Sequence, residues 1–570
     1  MNSPATSTID SMNQQLLAAL HEPSFYPDPT TTVELRETHI SWVFLTDRYV
    51  YKLKKPVQFA FLDFSTLEQR RAACEAELHL NRRLAPEIYL DVIAVVRDEH
   101  DQLQLIPSTF QSEAQSNIRS TSGCSSSSSF DVDPSSSATA VLKHTIVDYL
   151  VKMRRLPDQQ ALDQLITTGR VTDDQVERIA RRLVEFYRQQ PPLALAGEDY
   201  RCAISEHVAA NRTELLQPQH ELDKTIVERI HAAQQRLLAL HPDWWDTRVC
   251  DGRVIDGHGD LRPEHIYVNS HVVVIDALEF SRELRQIDVL DELGFLAMEC
   301  GVLGAPEMGE RIIRRYQDEL HDHPPAALIR FYESYRAMVR AKVAVLRSHQ
   351  LTAAAQVTAR QLTQRYLEWA DERLGSWLPA GMIVVSGLSG TGKSVVAAAI
   401  AARYQGRVLS TDQLRSEELP RDSEAAASAG EYGAARYAPQ RRDEVYELLL
   451  QRAAVALKAE RFVILDGTFL RSQWIEAAQQ LAAEHRAEFL LIRCECPLQV
   501  ACERVLKRAA RGDSKSEMTA ELLERQFAER PSDWELQPHL RLDTTQSLAE
   551  LLAAVDDRCR LWMGVQPDQR

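Results

Sequence analysis

Met382-Ile-Val-Val-Ser386, then Gly387-Leu388-Ser389-Gly390-Thr391-Gly392-Lys393-Ser394, then Val395-Val-Ala-Ala-Ala-Ile400 is the stretch that decides how this chain is read. Adjacent apolar residues without polar alternation suit a strand buried on both faces. The alanine-rich run predicts a helix over Ser394–Tyr404. Between them, eight residues fit GxxxxGK[ST] at each fixed position. Glycines allow the tight turns by which backbone N–H groups converge on a phosphate, and a helix N-terminus favours the anion. Lys393 brings a point charge to the β- and γ-phosphates, and the Ser394 hydroxyl suits Mg²⁺. Gly387 to Ser394 is therefore the expected ATP-binding loop.

Outward from it, strand and helix patterns alternate to the C-terminus. That predicts an α/β domain over residues 381–570, a parallel sheet flanked by helices. Val408-Leu-Ser-Thr-Asp412 and Phe462-Val-Ile-Leu-Asp466 each read as a strand running into a carboxylate. In such sheets the chemistry sits at the C-terminal strand ends. Asp412 is placed to accept a hydroxyl proton, with Arg415 one helical turn on to hold substrate or phosphate. Asp412 also suits a plain helix N-cap. Asp466 is placed to orient Mg²⁺ with Ser394. Arg504, Arg508 and Arg511 recur at helical spacing, as a lid over the phosphates or as a solvated basic face.

The chain has 570 residues, enough for two large domains or three to four average ones at about 150 residues each. With 44% hydrophobic and 26% charged residues it is of ordinary globular composition. A formal net charge of −16 argues against a broad surface for nucleic acid or anionic membrane. No apolar run approaches the roughly 20 residues of a membrane helix, and no secretory leader is read at the N-terminus. Nine cysteines form no disulfide framework, and Cys494 and Cys496 read as buried thiols. These features predict a reduced, cytoplasmic protein.

Upstream of residue 381, Thr352–Leu374 reads as helix, within a helical linker over 351–380. Earlier the pattern is strand-rich. Trp42–Leu45 and Arg48–Leu53 flank Thr46-Asp47 as a hairpin, and Thr66–Leu84 reads as a helix. Ser112–Ala140 is serine-rich with almost no apolar residues, which predicts a disordered insertion between strands Leu103–Ile106 and Val141–Val151. Then come helices, Thr172–Gln189, Leu222–Leu240 and Ala326–Ser348. Residues 1–29 are an N-terminal extension, and 30–350 form the first domain, of α+β type.

That domain contains His258-Gly-Asp260-Leu-Arg-Pro-Glu-His265, the spacing of a kinase catalytic loop, H-x-D-x-x-x-x-N, with histidine at the last position. The strand Val272–Ile275 then leads into Asp276. Such an arrangement gives Asp260 the hydroxyl proton and Asp276 the Mg²⁺. His265 stands where an asparagine would hold a second ion, and imidazole is a weak ligand for hard Mg²⁺. Tyr49-Val-Tyr-Lys52-Leu-Lys-Lys55 supplies a strand lysine. Lys52 has apolar neighbours, whereas Lys54 and Lys55 lie at the fraying end. Glu77 on the next helix is expected to pair with Lys52, with Glu75 as competitor.

Two resemblances follow from these motifs. Residues 381–570 resemble the P-loop kinases near polynucleotide kinase, gluconate kinase and zeta toxin, with Asp412-x-x-Arg415 most like the hydroxyl-activating pair of polynucleotide kinases. Residues 30–345, through Tyr-Lys-Leu-Lys-Lys-Pro, Phe-Leu-Asp-Phe and His-Gly-Asp-Leu-Arg-Pro-Glu-His, resemble the aminoglycoside phosphotransferase branch of the kinase-like fold. That resemblance implies a bilobal domain in which Asp260 is catalytic and Asp276 binds metal. Residues 37–46 depart from it in having no glycine-rich phosphate loop. Together they imply two ATP–Mg²⁺ sites acting on an unidentified hydroxyl acceptor. A nucleic-acid 5′-hydroxyl is compatible with Asp412 and Arg415 but disfavoured by the acidic balance.

Overall fold

The computed structural model describes residues 14–59, 62–107, 145–349, 351–418, 439–510, 523–524, 526–527 and 539–563. The serine-rich stretch Ser112–Ala140 and Arg511 lie outside these. Contacts divide the chain into one unit of Met1–Leu193 with Gly252–Asp322, and a second of Ala194–Asp251 with His323–Arg570.

The first unit carries an antiparallel sheet of β1 (Glu34–Glu37), β2 (Ser41–Leu45), β3 (Tyr49–Lys54), β4 (Tyr89–Arg97), β5 (Leu103–Pro107) and β6 (Thr145–Arg154), in the order β1-β2-β3-β6-β4-β5. β2 and β3 form the expected hairpin, with Val43 opposite Lys52. Alternation along β3 creates two environments. Tyr51 and Leu53 pack with Leu16, Leu20, Tyr26 and Phe44, so residues read as an N-terminal extension complete one face of the sheet. Val50 turns to the other face, toward Cys74 of the helix Leu67–Asn81. Lys52 and Lys54 share Val50's side by the same alternation. Thr66 and Gln69 form a capping box that fixes where that helix starts. Lys54 corrects the sequence reading, because it lies within β3 and is fully buried. Its end does not fray because two carboxylates meet its ammonium there.

The rest of this unit pairs β7 (Val254–Asp256) with β10 (Gln286–Asp288), and β8 (Ile266–Val268) with β9 (Val272–Val274). The loop holding Asp260 joins β7 to β8, and Asp276 follows β9. Helices Asp173–Gln189, Val289–Val302 and Pro306–Leu320 pack around them.

The second unit is built on a parallel sheet of β11 (Ala380–Ser386), β12 (Arg407–Ser410), β13 (Phe462–Asp466), β14 (Ala487–Glu495) and β15 (Leu540–Asp543), in the order β12-β13-β11-β14-β15. β11 is buried throughout. Met382 and Val384 enter one core with Val463 and Leu465, while Ile383 and Val385 enter the other with Val396 and Ile400. Strand order reverses at β11, so its C-terminal end opens the crevice where such sheets bind ligands. Residues 351–380, read as a linker, form the helix Ala353–Ala370 and a wide turn over Asp371–Gly375. They bury Tyr366, Leu367 and Leu374, and the helix packs along Ala326–Ser348. Leu240, from the helix Lys224–Leu240, enters the same core as Ile383. Among the described residues no helix is long and apolar enough to cross a membrane.

Candidate active sites

The loop after β11 is shaped by its glycines. Gly387 has φ 149° and Gly390 φ 78°. A Cβ on Gly390 would stand 2.6 Å from the Ala501 carbonyl oxygen, so both conformation and crowding require glycine there. Thr391 Oγ1 donates to the Leu388 carbonyl at 2.7 Å, and Thr544 Oγ1 donates to the Thr391 carbonyl at 2.7 Å. Lys393 opens the helix Lys393–Tyr404, and its Nζ donates to the Leu388 carbonyl at 3.2 Å. The loop is thus held by side-chain bonds to its carbonyls beside a cavity of about 420 Å³ lined by Gly390, Gly392, Lys393, Ser394, Arg504 and Arg508, among others.

Asp466 ends β13, is 4% exposed, and has an Oδ1 with no hydrogen-bond partner among the described residues. Burial pushes its carboxyl up, while the Lys393 ammonium and a hydrogen bond with Ser394 pull it back. A buried carboxylate oxygen beside a hydroxyl is a hard donor set that fits Mg²⁺. Among the described residues no group of three or more His, Cys, Asp or Glu could hold a metal ion. An ion at this point would therefore take its remaining ligands from phosphate and water. Asp412 raises the Asp466 pKa further, which places both carboxylates in one field. Arg415 Nη1 donates to Asp412 Oδ1 at 2.7 Å, so the predicted pair is formed.

Arg504 donates to Thr544 Oγ1 at 2.9 Å and to the Thr544 carbonyl at 2.7 Å. Sequence reasoning missed Thr544 and Gln526, whose Oε1 accepts from the Ser389 N–H at 3.1 Å. Thr544 had a signal, since it directly follows a strand of the parallel sheet. Gln526 had none.

The first unit assembles its site from distant segments. Lys52 Nζ donates to Glu77 Oε1 at 2.9 Å and to Asp276 Oδ1 at 2.7 Å. Glu75 is taken by Arg71 at 2.8 Å, which settles the choice between the glutamates. Lys54, unlooked-for, pairs with Glu77 Oε2 and with Glu279. Burial opposes the charges of Lys52, Lys54, Glu77 and Asp276, but mutual attraction prevails. Asp276 and Glu77 hold Lys52 well above its ordinary value, and Lys52 and Lys54 hold Glu77 below its own. Asp276 adopts φ 64°, with its N–H on the Tyr89 hydroxyl oxygen at 3.1 Å. The next N–H, of Ala277, donates to Asn81 Oδ1 at 2.8 Å.

His258 is buried, with Nε2 2.9 Å from the Ile275 carbonyl oxygen. Burial pushes its imidazole down to about 4, so it is neutral and serves as a strut. Glu292, another residue the sequence did not flag, accepts the His258 and Gly259 N–H groups at 2.6 and 2.7 Å. It fixes the backbone leading to Asp260. Asp260 Oδ2 accepts from Arg262 Nη2 at 2.9 Å. His265 sets Nδ1 2.8 Å from the Asp260 carbonyl oxygen, and Nε2 3.2 Å from Arg262 Nη2 and 3.7 Å from Asp276 Oδ2. Lys52, Glu77, Asp276, His265 and Asp260 thus stand in one connected cluster. The Asp276 carboxylate is 42% exposed and fits Mg²⁺, whereas both His265 nitrogens already face protein partners.

Comparison with known proteins adds five findings. A family model described as an AAA domain matches residues 382–531. The chain is 30% identical over 516 residues to Rv2004c, an uncharacterized protein of Mycobacterium tuberculosis, across 88% of this chain and 91% of that one. The uncharacterized protein Mb2027c of Mycobacterium bovis gives the same identity and the same coverage. Among solved structures, a gluconokinase from Sinorhizobium meliloti is 19% identical over 33% of this chain and 95% of its own, with a TM-score of 0.26. A choline/ethanolamine kinase family protein from Mesorhizobium loti is 12% identical over 63% of this chain and 99% of its own, with a TM-score of 0.34.

Proposed function

The chain belongs to the family of the mycobacterial proteins Rv2004c and Mb2027c, and on that footing we propose that it is an ATP-dependent phosphotransferase with two sites, each acting on a small-molecule hydroxyl group. One observation carries the reading: Lys393, Ser394 and an Asp466 Oδ1 that has no hydrogen-bond partner among the described residues converge on the loop Gly387–Ser394. There the loop N–H groups and Lys393 hold the phosphates, and Ser394 and Asp466 would hold Mg²⁺, which when bound neutralises phosphate charge. Asp412 takes the acceptor proton, with Arg415 fixing its carboxylate. Arg504 and Arg508 line the nucleotide cavity.

In the N-terminal site Lys52, oriented by Glu77, meets the phosphates, and Asp276 would hold the ion. Asp260 takes the hydroxyl proton. A second reading, in which this half binds substrate without turnover, is favoured by the internal pairing of Asp260 with Arg262 and of Lys52 with Asp276.

The test is an unbiased acceptor screen of sugars, nucleosides, aminoglycosides and RNA 5′ ends, using the full chain and ATP labelled at the γ-phosphate. Label on a small molecule is the expected result. Label released only as free phosphate would replace the kinase with an ATP-driven switch, and label on RNA ends would move the acceptor to nucleic acid.

A further inference from the structure

The N-terminal site holds more charge than its proposed chemistry uses. Lys52 and Lys54 stand two residues apart on β3, hence on one face, and divide a single carboxylate: Glu77 gives Oε1 to Lys52 and Oε2 to Lys54. Each lysine then has a second carboxylate from the segment after β9, Asp276 for Lys52 and Glu279 for Lys54. The side chains of Lys54 and Glu77 are fully buried and that of Glu279 is 4% exposed, but the Asp276 carboxylate reaches the cleft.

We propose that Lys54 and Glu279 are positioning residues for magnesium–nucleotide at this site, a buried tether that holds the Asp276 segment against β3 while Asp276 itself exchanges Lys52 for the metal ion. The inference rests on the N-terminal phosphotransferase reading above.

The charge balance carries it. Two ammonium groups face three carboxylates, so the set as it stands has one negative charge in excess. That excess falls on the one exposed member, Asp276. When a cation takes Asp276, what stays buried is Lys52, Lys54, Glu77 and Glu279, two charges of each sign, and Lys52 is free to turn toward phosphate. Remove Lys54, and one lysine faces two buried carboxylates. Lys52 is then drawn inward just when the nucleotide needs it. As a core brace alone the couple is a poor device, because apolar groups of similar volume often stabilise as well as or better than a buried ion pair. The left-handed backbone at Asp276 also needs an anchor on its far side, and Glu279 supplies it three residues on.

The experiment uses the full chain and ATP as probe, in Lys54→Met, Glu279→Gln and Lys54→Arg. Hydrogen exchange of peptides spanning residues 272–280 reports this site alone, whatever binds at the P-loop. ATP is titrated with Mg²⁺ and again in EDTA. Wild type should bind more tightly with Mg²⁺. Lys54→Met and Glu279→Gln should lose that gain about tenfold while binding in EDTA stays within about twofold, and Lys54→Arg should recover part of it. An undiminished Mg²⁺ gain in folded Glu279→Gln overturns the proposal. Equal losses in both conditions, or failure of both Lys54→Met and Glu279→Gln to fold, would mark a core brace only and overturn it as well. Absence of any ATP-dependent protection in wild type would instead remove the N-terminal reading on which it stands.

Discussion

On the proposed reading the two candidate sites meet one problem, holding a polyanion and a metal ion, in opposite ways. The C-terminal site is a contiguous loop whose conformation is fixed by backbone and neighbouring hydroxyls, and which leaves a buried Asp466 oxygen without a partner among the described residues. The N-terminal site is drawn from segments more than two hundred residues apart, and its charges are already paired with one another. The first is built around an unmet valence. The second is internally paired, and a ligand must exchange for internal partners. Binding at the P-loop should therefore lean on preorganised dipoles, and binding at the N-terminal site on displacing ion pairs, with a steeper dependence on Mg²⁺.

The largest effect expected from this contrast is at Lys393. Lys393→Ala should lower C-terminal phosphotransfer by about a thousandfold, the scale for losing one preorganised charge donor, while N-terminal product continues to form. Product analysis with labelled ATP checks it, and loss of both products together would dissolve the distinction between sites. Asp260→Asn should lower N-terminal turnover by about a hundredfold or more with ATP binding retained, because it removes the proton acceptor but not Lys52 or Asp276. If every product persists unchanged, the internally paired site is a binding module.

A third expectation concerns acid. Burial holds His258 down at about 4 against an ordinary 6.5, so the unfolded chain takes up that proton first as pH falls. Stability is full above about 6.5 and declines down to about 4, by about 3 kcal/mol for this one group. Denaturant melts of wild type and His258→Gln at pH 7.5 and 4.5 should show a shallower acid loss in the variant. Equal losses would mean that His258 is not held neutral. The smallest effect is expected from deleting Ser112–Ala140, which should shift stability by less than about 1 kcal/mol and spare both sites, since loop length costs little. A cooperative loss of folding in that deletion would overturn the reading of an inserted loop.

How far the sequence could be read follows the same contrast. Gly387–Ser394 was readable because its chemistry lies in consecutive residues, and Asp466 because its strand runs to it, whereas the strand read into Asp412 stops at Ser410 and Asp412 stands in the first turn of the helix Thr411–Glu418. Lys52 and Asp276 could be named from spacing, but Glu77 and Glu75 differ only by which faces β3, and that needs the packed helix. Lys54 was misread for want of Glu279, whose part appears only when the segment after β9 folds over β3. A hint was present: Tyr51 and Leu53 alternate with the two lysines, so whatever buries one lysine buries the other. Glu292 and Gln526 act on backbone N–H groups, which have no signature in side-chain pattern.

The route of the chain through its two units has a consequence for synthesis. Residues 194–251 belong with the second unit but emerge before the first is complete at Asp322. The first unit must close with this helical segment as an excursion from its middle. That segment then waits for partners that begin at His323, roughly ten seconds at common rates of elongation. Such a layout gives the ribosome no clean moment at which one half is finished and the other not begun. Nor can any single cut in the chain yield both halves whole.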